Sequence, residues 1–248
     1  MAEMDPRIAG VAQELQHRLD TLPGGMDQRQ AFLALYLRTT QAIGREVAAG
    51  TFEDPVWVAY WDEVFAGLFL TAHDADLAGE PVVRPWQLAF EAAPGYSDLV
   101  HILLALNAHI NYDLPQAMVA VISPGDFCDS AVLERRRGDH ERIDTVIGAR
   151  VAAEDPEARA GRPVRWRHRL LAPLNRWSSR RFLRRSRRDV WLNVADLHRA
   201  REQGSQAYAE RLAELESLSA AKITDLLRPG PLLLRLALRG FGVRLSER

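Results

Sequence analysis

The residues with the most chemical potential in this 248-residue sequence lie in one run, LVHILLALNAHINYDLPQAMVAVI, which starts at Leu99. A helix this apolar is buried on most sides. It nevertheless carries His101, Asn107, His109, Asn111 and Asp113. A buried polar group without a partner costs about 1–3 kcal/mol, so these side chains must find one another, a neighbouring helix, water or a ligand. Helical spacing puts Asn107 and Asn111 on one face and His109 and Asp113 on another, with His101 on the same general side as His109. A His-x-x-x-Asp pair can ligate a metal through one imidazole and one carboxylate. The same pair can be a base oriented by a carboxylate. We therefore expect His109 and Asp113 to be catalytic, with Asn107 and Asn111 orienting a substrate. A metal needs three or four ligands. If a divalent metal is bound, the candidates are His109, Asp113, His101, Asp62 and Asp139, the last two approaching from neighbouring helices. The competing reading is a hydrogen-bond network at a helix junction, with Asp113 capping the piece that begins at Pro115. No HExxH, GxSxG or Gly-rich phosphate loop is present. Nothing marks Cys128 as a nucleophile.

The elements that position this cluster read as helices. Ile8, Val11, Leu15 and Leu19 mark one helical face, ended by Pro23-Gly24-Gly25. A second helix runs through Phe32, Tyr36, Ile43 and Val47, with Asp27 as its expected cap. Asp54-Pro55 reads as N-cap and first-turn proline of a third, rich in Trp57, Trp61, Phe65 and Phe69. Trp86 to Ala92 is a short helix or turn. The helix from Asp98 is expected to reach Leu114, where Pro115 imposes a kink or junction. Two more helices are expected over Asp126–Arg135 and Asp139–Ala153, and a long one over Asp189–Ala221. No strand pattern and no internal repeat is visible. The expected fold is all-α, an irregular multi-helix bundle in a single domain over 1–248. Residues 1–154 would form its core, with 162–248 a basic segment and C-terminal helices packed on it.

Composition narrows the function classes. The net charge is −1 and 47% of residues are hydrophobic, so bulk charge selects no partner. One cysteine excludes an intramolecular disulfide framework and fits a reducing compartment. MAEMDPRIAG lacks a basic region followed by an apolar run, so no signal peptide is expected. We expect a cytoplasmic protein, with a peripheral membrane contact as a second possibility. That contact would be made by 162–188, where arginines alternate with Trp166, Leu170, Leu174, Trp177 and Phe182 in a pattern suited to an anionic membrane surface. The alternative for this run is a solvated face whose arginines pair with acidic helices. No motif for sequence-specific nucleic-acid reading is present.

The phrase NAHINYDLP, preceded by FEDPVWVAYWDEVFAGLF, resembles an actinobacterial family known only as a domain of unknown function. The resemblance covers roughly residues 30–150, with an echo at RRDVWLNVADL. It implies that Asn107, His109, Asn111, Asp113 and Pro115 form the family signature, and it implies no activity. HINYDLPQA has a fainter likeness to the His-x-x-x-Asp helix of zinc-dependent phospholipases C and single-strand nucleases, with His109 and Asp113 in the matching places. Those enzymes use an N-terminal Trp, several further His and Asp ligands and export signals, whereas this chain starts MAEMDP and no signal is expected. Three function classes follow. The first is metal-assisted hydrolysis of an ester or phosphoester at the His/Asp/Asn cluster. The second is non-catalytic binding of an apolar ligand or a membrane surface. The third is metal-free catalysis on an apolar small molecule.

Overall fold

The computed structural model describes residues 4–153, 166–230, 235–236 and 240–246. Among these residues there are helices and no strands. Helix α1 spans Pro6–Asp20, α2 Asp27–Ala48, α3 Pro55–Leu77, α4 Arg84–Phe90 and α5 Asp98–Ala108. A π-helical turn over His109–Asp113 joins α5 to α6, Leu114–Val121. Then come α7, Pro124–Cys128, α8, Ser130–Ala153, α9, Trp166–Gln203, and α10, Ser205–Leu227. No helix among the described residues is long and apolar enough to cross a membrane.

Local chemistry sets several of these boundaries. Asp5 and Asp54 cap α1 and α3 through the backbone N–H of Arg7 and Trp57, and each is followed by a proline in the first turn. Helix α2 starts at Asp27 with Met26 in the cap position, one residue from the expected cap. The two helices expected over 126–153 are instead the short α7 and the continuous α8, which runs through Gly138. The long helix expected from Asp189 is displaced too. Helix α9 ends at Gln203 and α10 begins at Ser205, with Gly204 between them at φ 122° and ψ 173°. Only glycine takes that backbone conformation without strain. The side chains of 162–184, most of the arginine-rich run, lie outside the described residues.

The rod formed by α5, the π-turn and α6 is the centre of the molecule. It packs against α2, α3, α4, α9 and α10. Two apolar clusters flank it. One is built around Trp57, Trp61, Met118, Ile122 and Val194, the other around Phe32, Phe69, Trp86, Leu104 and Ile223. Ile110, inside the π-turn, packs against both. Pro115 explains why the turn is wide. In a regular α-helix its ring would press on the carbonyl of Asn111, and it has no N–H to donate. Here the ladder shifts to a longer loop, closed by the Leu114 N–H on the His109 carbonyl.

The α9–α10 corner yields a direct test. Gly204→Ala places a Cβ at a positive φ, with an expected loss of about 1–3 kcal/mol of stability. A urea denaturation midpoint equal to that of the wild type would show that the corner relaxes instead.

Candidate active site

The π-turn brings His109 and Asp113 together. His109 Nδ1 lies 2.9 Å from Asp113 Oδ2, and the Trp86 indole N–H donates to the same oxygen at 2.9 Å. All three side chains are buried. The imidazole stacks on Phe65 with centroids 3.7 Å apart and planes 5° from parallel. Tyr36 meets its edge at 5.0 Å, and Trp86, Phe69 and Phe32 surround it at 5.9, 6.1 and 6.2 Å. Helices α2, α3 and α4 thus supply an aromatic cage, and the rod supplies the polar pair inside it.

The cage sets the protonation states. Burial lowers the His109 pKa, against the opposing effect of its bond to Asp113, so the ring is neutral at pH 7. Burial raises Asp113, with the hydrogen bonds from His109 and Trp86 acting the other way. An indole nitrogen can only donate, so Asp113 Oδ2 accepts from Trp86, and with Asp113 ionised it receives the Nδ1–H of His109 as well. That assigns the lone pair to Nε2, which is buried and has no hydrogen-bond partner. It is not alone in this. Tyr36 Oη, Thr40 Oγ1 and Asp62 Oδ2 are also buried without partners. Tyr36 and Thr40 are one turn apart on α2, and Asp62 is one turn before Phe65 on α3. Burial pushes the Tyr36 hydroxyl well above its ordinary range, and the carboxylates of Asp62 and Asp113 add to the effect, so this phenol feels both acids. Burial alone lifts Asp62 to about 7.

The other expected site residues have different partners. Asn107 and Asn111, expected to orient a substrate, hold the C-terminal segment. Both donate to the Phe241 carbonyl, at 3.2 and 3.0 Å, and Asn111 Oδ1 accepts from the Val243 N–H at 3.3 Å. Asn193 on α9 continues the pattern with Val243 and Leu245 at 3.0 Å each. These amides act as backbone surrogates for an extended strip that has no strand to pair with. The strip also passes close to α9. A Cβ on Gly242 would stand 2.6 Å from Asp189 Oδ2. Asp139 is engaged elsewhere: it accepts the backbone N–H groups of Glu53 and Asp54 at 2.8 and 2.9 Å and pairs with Arg142 at 2.8 Å. His101 lines a different cavity, with His73. Among the described residues no group of three or more His, Cys, Asp or Glu could hold a metal ion.

The sequence pairs His109 with Asp113 and singles out Asp62, whereas Tyr36 and Phe65 read only as apolar-face residues and Trp86 only as the start of a short helix or turn. One signal for Trp86 was available: a buried indole N–H must find an acceptor.

Two predictions follow from these contacts. Asp62 holds its proton to about pH 7, against an ordinary value of 3.8. A raised acid pKa contributes stability below the unfolded value that is lost as pH rises through the folded one, here on the order of 4 kcal/mol across the window. Asp62→Asn removes this dependence, so the variant is more stable than wild type at pH 8 in chemical denaturation. A less stable variant at pH 8 would mean that the ionised carboxylate has a favourable partner. Asn111→Ala is expected to lower stability by about 2–4 kcal/mol and Asn107→Ala by about half that, since Asn111 makes two of the strip's bonds and Asn107 one. Equal losses would contradict the clasp.

Comparison with known proteins adds a family and no activity. No curated protein and no solved structure matches the chain. A family model described as a family of unknown function, DUF5995, matches residues 8–229. That span is wider than 30–150 and takes in the arginine-rich run. It also takes in every residue of the cage, while the strip clasped by Asn107 and Asn111 lies beyond its end. The chain therefore belongs to the family of unknown function DUF5995.

Proposed function

We propose that this chain is an acid–base enzyme that acts on a small, largely apolar carbonyl compound in the aromatic cage. His109 Nε2 is the proton acceptor, Asp113 the residue that fixes its tautomer, and Asp62 the group that returns a proton. One observation carries this reading: the buried lone pair of His109 is uncommitted while its other nitrogen is held by a carboxylate. A histidine that serves packing alone has both nitrogens paired or is replaced by an apolar ring, because an unpaired buried acceptor is unfavourable. A base oriented through its far nitrogen is the arrangement that general base catalysis requires. Asp62, poised near pH 7, suits a residue that exchanges protons at neutral pH. The Tyr36 hydroxyl, kept protonated, is a donor for an oxygen that gains charge as the proton leaves carbon. The five aromatic rings favour an apolar body on the substrate.

Metal-assisted hydrolysis at the same residues draws less support, since Asp139 is taken up by backbone N–H groups. Non-catalytic binding of an apolar ligand in the cage is the remaining alternative, and proton exchange separates it from catalysis.

The test is a panel of small apolar ketones, esters and lactones in D2O, followed by NMR for deuterium uptake or hydrolysis. Turnover by the wild type should fall by about 10²–10⁴ in His109→Gln. It should fall in Asp113→Asn as well, where the ring loses its tautomer. Compounds that bind the wild type but exchange no faster than with His109→Gln would contradict catalysis and leave a binding protein.

A further inference from the structure

Phe32 and Phe69, two walls of the His109 cage, also line a cavity of about 20 Å³. Helices α2, α3, α4 and α5 enclose it, and three basic side chains meet there: Arg29, His73 and His101. Each is held by one polar partner and keeps buried polar atoms without partners. Arg29 pairs through Nη2 with Asp76 and lies over the Phe90 ring at 4.4 Å, while its Nε and Nη1 are buried without partners. His73 Nδ1 is 3.2 Å from Asp74 Oδ1, and its Nε2 has no partner. His101 bonds the Ala93 backbone and its Nε2 too has no partner.

We propose that this cavity binds a carboxylate-sized planar oxyanion together with one proton, as a short carboxylic acid or bicarbonate would supply. The donor and acceptor inventory carries the inference. Arg29 offers three N–H donors, one on Nε and two on Nη1, and no acceptor. The histidines, with Nδ1–H engaged, offer two lone pairs. An occupant must therefore accept from a cation and donate to an imidazole, which an acid group does with its two oxygens and its proton. A volume of about 20 Å³ is little more than one water needs, which favours a small planar acid over a tetrahedral phosphate.

Charge points the same way. Burial is the largest influence lowering His73, and Arg29 and Arg18 lower it further while Asp74 opposes them. Burial lowers His101 as well, opposed by Asp98 and the Ala93 carbonyl. Arg18 is paired with Glu14 and Asp74, and Arg29 with Asp76. Both rings are therefore neutral at pH 7, and the anion enters with its proton. This site is independent of the chemistry at His109, so either proposal can fail alone.

The experiment is an NMR titration of the full chain with sodium formate, acetate, bicarbonate and, as controls, phosphate and chloride. The ring signals of His73 and His101 are the readout. The proposal expects saturable shifts with dissociation constants on the order of millimolar for the carboxylates or bicarbonate. For formate and acetate, affinity should weaken by about tenfold per pH unit above neutrality, the mark of one proton taken up, whereas bicarbonate brings its own proton and should bind with little pH dependence there. Arg29→Lys keeps a charge for Asp76 but loses the Nε and Nη1 donors, and His101→Gln removes one lone pair. Each should weaken binding by roughly tenfold or more. Saturation by acetate and formate alone would identify a carboxylic acid, and saturation by bicarbonate alone would identify that ion. Shifts that fail to saturate, that chloride reproduces, or that persist unchanged in both variants would overturn the proposal and leave the cavity to water.

Discussion

The architecture depends on the way one proline is accommodated inside a buried helix. Pro115 cannot follow Asn111 in a regular α-helical ladder, and the chain responds with a single wide turn over His109–Asp113. That turn fixes the directions of the polar side chains. His109 and Asp113 point into the aromatic cage and bond each other, while Asn107 and Asn111 reach the opposite way to the C-terminal strip. The rod packs on α2, α3, α4, α9 and α10, so a change in this turn would move the cage and the clasp together.

The two halves of the rod obey opposite energetic rules. On the clasp side amide meets carbonyl and carbonyl meets amide, with Arg211 and Glu214 completing the strip at Ser246, and Asn107 Oδ1 is the exception, buried without a partner. This is how a folded chain stabilises a segment that belongs to no sheet. On the cage side His109 Nε2 and Tyr36 Oη are left without partners, and so are Thr40 Oγ1, one turn on along α2, and Asp62 Oδ2 on α3. Each such atom lowers stability by about 1–3 kcal/mol relative to a satisfied or apolar replacement. Proteins retain this kind of strain where it serves binding or reaction. The contrast between a matched clasp and an unmatched cage on one short rod is the reason for placing the chemistry at His109 and not at the asparagines.

Much of this was legible in the sequence. The helical class follows from periodicity and from the Asp54-Pro55 cap of α3. Four-residue spacing sorted Asn107 with Asn111 and His109 with Asp113 correctly, because a wide turn still stacks residues four apart. Two things were hidden. The partner of the asparagines is a strip more than 120 residues away in the chain, and local spacing carries no information about it. The same blindness leaves Asp139 a candidate metal ligand, when its partners are backbone N–H groups ahead of α3. Gly204 was overlooked as a stop because apolar periodicity continues on both sides of it. The cage itself was read as core, since Phe65 and Tyr36 carry the same pattern whether they pack on leucine or on an imidazole.

The central claim is that His109 is a neutral imidazole with its proton on Nδ1 and a free lone pair on Nε2. Long-range ¹H–¹⁵N NMR of the His109 ring at neutral pH reads this directly. The account predicts a protonated Nδ1 and an unprotonated Nε2 in the wild type, and a mixed or inverted tautomer in Asp113→Asn. A ring protonated at Nε2, or at both nitrogens, in the wild type would contradict it.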